Sequence, residues 1–224
     1  MSRDKRPRKV IKIKPITKLL LCLIAVAVIV GGFLVWNNFI KPKSNKPKVV
    51  DSIKNEDVDY VVSETDTKLF KDTFGELKKV LNAKEVDNKK YAEVITKLFV
   101  IDFFTLSNKT SKNDVGGVQF VYESYQTDFV EGARNSIYKQ VQSDMSGSKL
   151  NGSLPTVTKV KVDSIDEISP YSMFGGNFFT EDQVGYMINI SWEYKNDDDF
   201  QSNATIVVVP DGKKLSVARM QEAM

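Results

Sequence analysis

Pro155-Thr156-Val157-Thr158-Lys159-Val160-Lys161-Val162-Asp163-Ser164 is where the chain changes period. Val157, Lys159, Lys161 and Asp163 alternate with Thr158, Val160, Val162 and Ser164, and a repeat of two marks a strand with one face toward a core. Downstream, Tyr186-Met187-Ile188-Asn189-Ile190-Ser191-Trp192-Glu193-Tyr194 reads as a second strand. It meets a third over 204–209 across the acidic turn Asn196-Asp197-Asp198-Asp199, and Pro210-Asp211-Gly212-Lys213 turns into a fourth over 214–220. A shorter strand is expected near Phe178.

Upstream of Pro155 the apolar residues recur every three or four positions. Leu69, Phe70, Phe74, Leu77, Val80 and Leu81 define an amphipathic helix ending near Asn82. A second helix starts after Asp87 as N-cap. Its apolar positions Tyr91, Val94, Ile95, Leu98, Phe99, Ile101, Phe103 and Phe104 are dense enough to bury it on more than one side. Asn113-Asp114-Val115-Gly116-Gly117 is turn chemistry, 118–125 reads as a short helical segment, and a third helix is expected from Thr127 through Phe129, Ala133 and Tyr138 to Val141. Helices followed by strands predict an α+β domain, with three helices packed on one face of a curved four-stranded antiparallel sheet.

Further out lies Leu19-Leu20-Leu21-Cys22-Leu23-Ile24-Ala25-Val26-Ala27-Val28-Ile29-Val30-Gly31-Gly32-Phe33-Leu34-Val35-Trp36, a run without a charge. As a helix it spans roughly 27 Å, and Phe39 and Ile40 extend its reach to match a hydrocarbon core. Leu19, Leu23, Ile24, Val28, Val30, Phe33, Leu34 and Trp36 are the expected membrane anchor. The arm before it carries Arg3, Lys5, Arg6, Arg8, Lys9, Lys12, Lys14 and Lys18 against Asp4, and the flank after it carries fewer basic residues. That bias orients the N-terminus to the cytoplasm and the remaining chain outside, as a single-pass protein of the plasma membrane. The apolar run continues nine residues beyond Ala27, which argues against cleavage as a signal peptide. The expected organisation is a basic arm over 1–18, a transmembrane helix over 19–40, a polar linker over 41–62 and an extracytoplasmic domain over 63–222.

Charge divides at the same place. Residues 1–50 hold 12 Lys/Arg and one acid, whereas the remainder holds 20 Lys/Arg and 28 acids. The pI near 8.7 is thus the property of the arm and anchor flanks, where anionic lipid accounts for it. Direct nucleic-acid binding by the acidic outer domain is disfavoured. The chain has no His, and its one Cys is Cys22 in the anchor run. A His-dependent triad, a His zinc site and an internal disulfide are therefore excluded, and no metal or cofactor is expected. Asp197-Asp198-Asp199 lacks the spaced ligands of a calcium loop.

An anchored chain with a short basic arm, three helices and a four-stranded meander resembles the bitopic scaffold subunit of bacterial type IV secretion and conjugation channels. Residues 91–138, with Phe103-Phe104 ahead of Asp114-Val115-Gly116-Gly117-Val118-Gln119-Phe120-Val121, are similar to the versions in conjugative elements of Gram-positive bacteria. The architectural likeness covers residues 15–222. The Asn-Pro-x-Gly turn of many Gram-negative members is absent, so their dimer surface is not carried over. The resemblance implies a nuclear transport factor 2-like outer domain, without catalysis, that binds other membrane subunits of the channel or further copies of itself.

Domains of that fold also house enzymes, with an Asp base and Tyr donors in a pocket between helices and sheet. Asp102, inside the most apolar helix, with Tyr91, Tyr125, Tyr186 and Trp192, is the candidate pocket set. The alternative reading is that Asp102 faces solvent or caps a neighbour while the aromatics form core. A tethered small-molecule-binding or isomerase-like domain, and a ring-building envelope protein of sporulation or cell-wall maintenance, are the competing functions.

Overall fold

In a computed structural model of the chain, which describes residues 47–54, 58–141, 154–195 and 200–222, both long helices begin at side-chain caps. Helix α1, Lys68–Leu81, starts where Thr67 accepts from the Phe70 N–H. Helix α2, Asn88–Phe104, starts where Asp87 accepts from the Lys90 N–H at 2.9 Å. Each cap satisfies one of the donors that a first helical turn leaves unpaired. Helix α1 buries one stripe, Phe70, Phe74 and Leu77, whereas α2 is buried on nearly every side. Helix α2 is the centre of the core, packing against α1 and against the sheet.

That sheet has four antiparallel strands in sequence order: β3 Val157–Ile168, β4 Gly185–Tyr194, β5 Asn203–Asp211 and β6 Lys214–Gln221. Ile206 and Val208 on β5 face the helices, while Val207 and Val209 lie in a smaller cluster with Phe179. Successive side chains of a strand point to opposite faces, so both faces of β5 are covered. Strand β3 departs from simple alternation. Its register with β4 shifts between Val157 and Lys159 and between Val162 and Ser164. Each bulge resets the parity, so Val157, then Val160 and Val162, and then Ile165 all reach the core.

Four local expectations are corrected. Part of the expected linker is structured. The folded unit begins at Pro47, and β1 Val49–Lys54 pairs antiparallel with β2 Asp59–Ser63. Val58, Tyr60 and Val62 are buried, because alternate positions of this short hairpin close over the helical layer. Next, residues 118–125 form two separate 3-10 turns, Val118–Phe120 and Glu123–Tyr125. The third helix is split: α3 spans Gln126–Asn135, and a 3-10 turn, Ile137–Gln140, follows. Ser136 stands at the break and its Oγ donates to the carbonyls of Gly132 and Ala133, competing with the helical ladder. Finally, Phe178 belongs to no strand. Ser169 caps a short helix, α4 Pro170–Phe174, with Pro at its first turn, and the following loop places Phe179 against the outer face of β5. Helices therefore do not all lie on one face of the sheet.

The apolar run 19–36, the basic arm and the acidic turn at 196–199 lie outside the described residues. Among the described residues no helix is long and apolar enough to cross a membrane.

Candidate functional site

Asp102 lies in the last turn of α2, where the sequence resumes as a loop after Phe104. Its Oδ1 meets Lys109 Nζ at 2.5 Å, and its Oδ2 accepts from the Gly117 N–H at 2.7 Å. The Lys109 side chain is 6% exposed and that of Asp102 14%. Gly117 has φ +77°, a left-handed conformation that favours glycine, and a Cβ on Gly116 would stand 2.3 Å from the Asp102 carbonyl oxygen. The Gly116 N–H donates to Tyr138 Oη, which donates to the Phe103 carbonyl, each at 2.8 Å. Burial pushes the Tyr138 phenol up and keeps it neutral. Asp102 is thus the fastener of the Gly116-Gly117 bend to the end of α2.

Beside it opens a polar cavity of about 220 Å3, bordered by the hairpin, the turn into α1 and the loop after α2. Asp66, Asp102, Asn108, Lys109 and Asp114 contribute its polar groups. Asp66 Oδ2 accepts from the Ser63 N–H at 2.7 Å. Burial raises the pKa of Asp66, and the Asp102 charge adds to this against the opposing pull of Lys109 and Lys71. Asp114 accepts from the N–H and hydroxyl of Thr110. Asn108 donates to the Thr65 carbonyl, while its Oδ1 is buried without a partner. Among the described residues no group of three His, Cys, Asp or Glu is placed to hold a metal ion.

The aromatic members of the candidate set do not join Asp102. Tyr91 Oη is 2.9 Å from Tyr60 Oη, a buried pair that staples α2 to the hairpin, and burial raises both phenols. Trp192 is 4% exposed with its ring centroid 4.4 Å from that of Phe104, and its Nε1 has no hydrogen-bond partner. Tyr186 is buried in the main core. Tyr125 borders a different cavity, an apolar groove of about 300 Å3 between α3 and β6. Asp102 therefore borders a cavity together with Asp66, Asn108, Lys109 and Asp114, a grouping that no sequence period foretells. Lys109 follows Asp102 by seven residues across a helix end, and no helical or strand period relates them.

Compared with family models, with curated proteins and with solved structures, the chain matches none.

Proposed function

We propose that this chain is a membrane-anchored, non-enzymatic assembly component of a conjugative DNA-transfer channel of the type IV secretion class, working through protein–protein contacts of its outer domain. The observation that carries the non-catalytic part is the use made of Asp102. A general base must be free to take a proton within hydrogen-bond reach of a substrate, and this carboxylate is already held by a buried ammonium and a backbone N–H. The Tyr donors an isomerase-like site would need stand elsewhere, Tyr91 paired with Tyr60 and Tyr125 on a separate groove. The nuclear transport factor 2-like assignment is supported by helices that precede, and pack on, a four-stranded antiparallel sheet in sequence order.

The membrane part rests on the uncharged run 19–36 and the basic arm before it. Tethering raises the effective concentration of a domain for other subunits in the same bilayer, so individually weak contacts suffice for a stable complex. Crosslinking in the native membrane followed by native gel electrophoresis is the test. The expected product is a complex larger than this chain alone that contains other transfer-channel subunits. A species of one chain only, with no such partner, removes the proposal.

A further inference from the structure

The apolar groove has one wall made by the edge of a sheet. Four successive residues of β6, Val217, Ala218, Arg219 and Met220, line it; the register with β5 shifts here, Val208 pairing with Val217 and Val207 with Arg219, so Ala218 is a bulge residue, and side chains from both faces of the strand border the cavity along its edge. Strand β6 is the last in the sheet order. Tyr125, Asp128 and Phe129 at the start of α3 form the other wall, and Phe99 of α2 contributes to the apolar lining. One end of the edge is already used: Val121 forms a parallel bridge with Val217, and the Tyr122 N–H donates to the Val217 carbonyl at 2.8 Å. Beyond Val217 no described strand pairs with the outer edge of β6.

Each wall also carries a charge. Asp128 and Arg219 are both exposed, and neither has an ion-pair partner among the described residues; the Arg219 guanidinium stacks on Phe174 at 4.9 Å. A strand edge beside a helix, with an apolar hollow between them, is the geometry of recognition by strand addition, where backbone hydrogen bonds give affinity and a side-chain pocket gives selectivity. Natural proteins leave such an edge open sparingly, because it accepts other chains.

We propose that the β6–α3 groove is a docking site for an extended segment of a partner protein. The segment adds as a strand to the edge of β6, with one bulky apolar side chain in the hollow and an acidic and a basic residue flanking it for Arg219 and Asp128. This supplies the contact face for the assembly role and rests on that reading for its biological setting.

Two fluorescent, end-blocked hexapeptides, Lys-Thr-Leu-Val-Thr-Glu and Glu-Thr-Leu-Val-Thr-Lys, titrated against the full chain in detergent micelles test the site by anisotropy. Saturable binding of one charge order is expected, with the preference inverted by the double change Asp128→Lys and Arg219→Glu. N-methylation of the leucine amide, which removes one backbone donor, weakens binding by about tenfold. Both changed residues are exposed, so the variant keeps the fold, checked by its unchanged circular dichroism. Saturable binding of neither peptide, or binding unaltered by charge inversion and N-methylation, overturns the proposal. If the native-membrane complex persists in the double variant while the peptides fail to bind, the groove is wrong and the assembly reading stands; if the chain is monomeric there yet binds peptide as described, the groove stands and the assembly reading falls.

Discussion

Asp66 shows how a half-buried carboxylate writes a pH dependence into the fold. Its folded pKa is raised, by burial first and by Asp102 second, so the folded state holds its proton more tightly than the unfolded chain does. The destabilising contribution is therefore absent below the unfolded pKa, grows as pH rises above it, and is complete once pH has passed the folded pKa. Asp66→Asn keeps an acceptor for the Ser63 N–H and removes the charge. It should raise the urea midpoint at neutral pH and flatten the stability profile on its acid side. Asp102→Ala leaves Lys109 charged, with 6% of its side chain exposed, and a cost of about 3 kcal/mol is expected from urea unfolding. Adding Lys109→Met should recover part of that loss, which no catalytic role of Asp102 would predict. Gly116→Ala, whose Cβ would meet the carbonyl carbon and oxygen of Asp102 as well as its Oδ1, should cost about 3 kcal/mol because the backbone atoms cannot swing away and the carboxylate is held by Lys109 and the Gly117 N–H.

At the scale of elements, the hairpin is held by few contacts. Gln119 acts as a short strand partner for β2: its Oε1 accepts from the Val61 N–H at 2.9 Å and its Nε2 donates to the Val61 carbonyl at 3.2 Å. Lys78 pairs with Asp51, and Lys71 donates to the Glu64 carbonyl. Gln119→Ala should lower stability by about 1–2 kcal/mol and speed hydrogen exchange in β1 and β2 more than in β4 and β5. Asp87 announced α2 in the sequence because capping is local chemistry, and the structure adds Thr67 as the cap of α1. The hairpin is not legible in the sequence because Tyr60 and Val62 are the only two alternating buried positions in a strand of five. So short an alternation looks like linker until α2 offers Tyr91 as a partner for Tyr60. Ser169-Pro170 is the local start signal of α4, a polar cap followed by Pro in the first turn.

For the whole molecule, the hairpin decides where the folded unit begins. A chain starting at Pro47 should unfold cooperatively, whereas one starting at Glu64 loses buried Val58, Tyr60 and Val62 and with them on the order of 5 kcal/mol of apolar burial. Thermal unfolding of the two chains measures the difference. The proposed topology predicts that protease added to intact cells removes the acidic domain and leaves a short fragment in the membrane. Full protection of that domain, or its recovery from the medium without the first few dozen residues, would contradict it.

By itself the sequence determined the α+β class, the two long helices, the second with its Asp87 cap, and the four strands that follow Pro155, because hydrophobic period, caps and turns act within a few residues. It also determined the chemistry that is unavailable, since a chain without His and with one Cys lacks the corresponding ligands and bases. Only the tertiary structure decided the bulges of β3, the hairpin closing over α2, and the dispersal of Asp102, Tyr91, Tyr125 and Trp192 among separate surroundings. Those depend on which distant residues meet: Lys109 with Asp102, Tyr60 with Tyr91 and Phe104 with Trp192. Such meetings are set by packing the whole chain at once, and no local pattern encodes them.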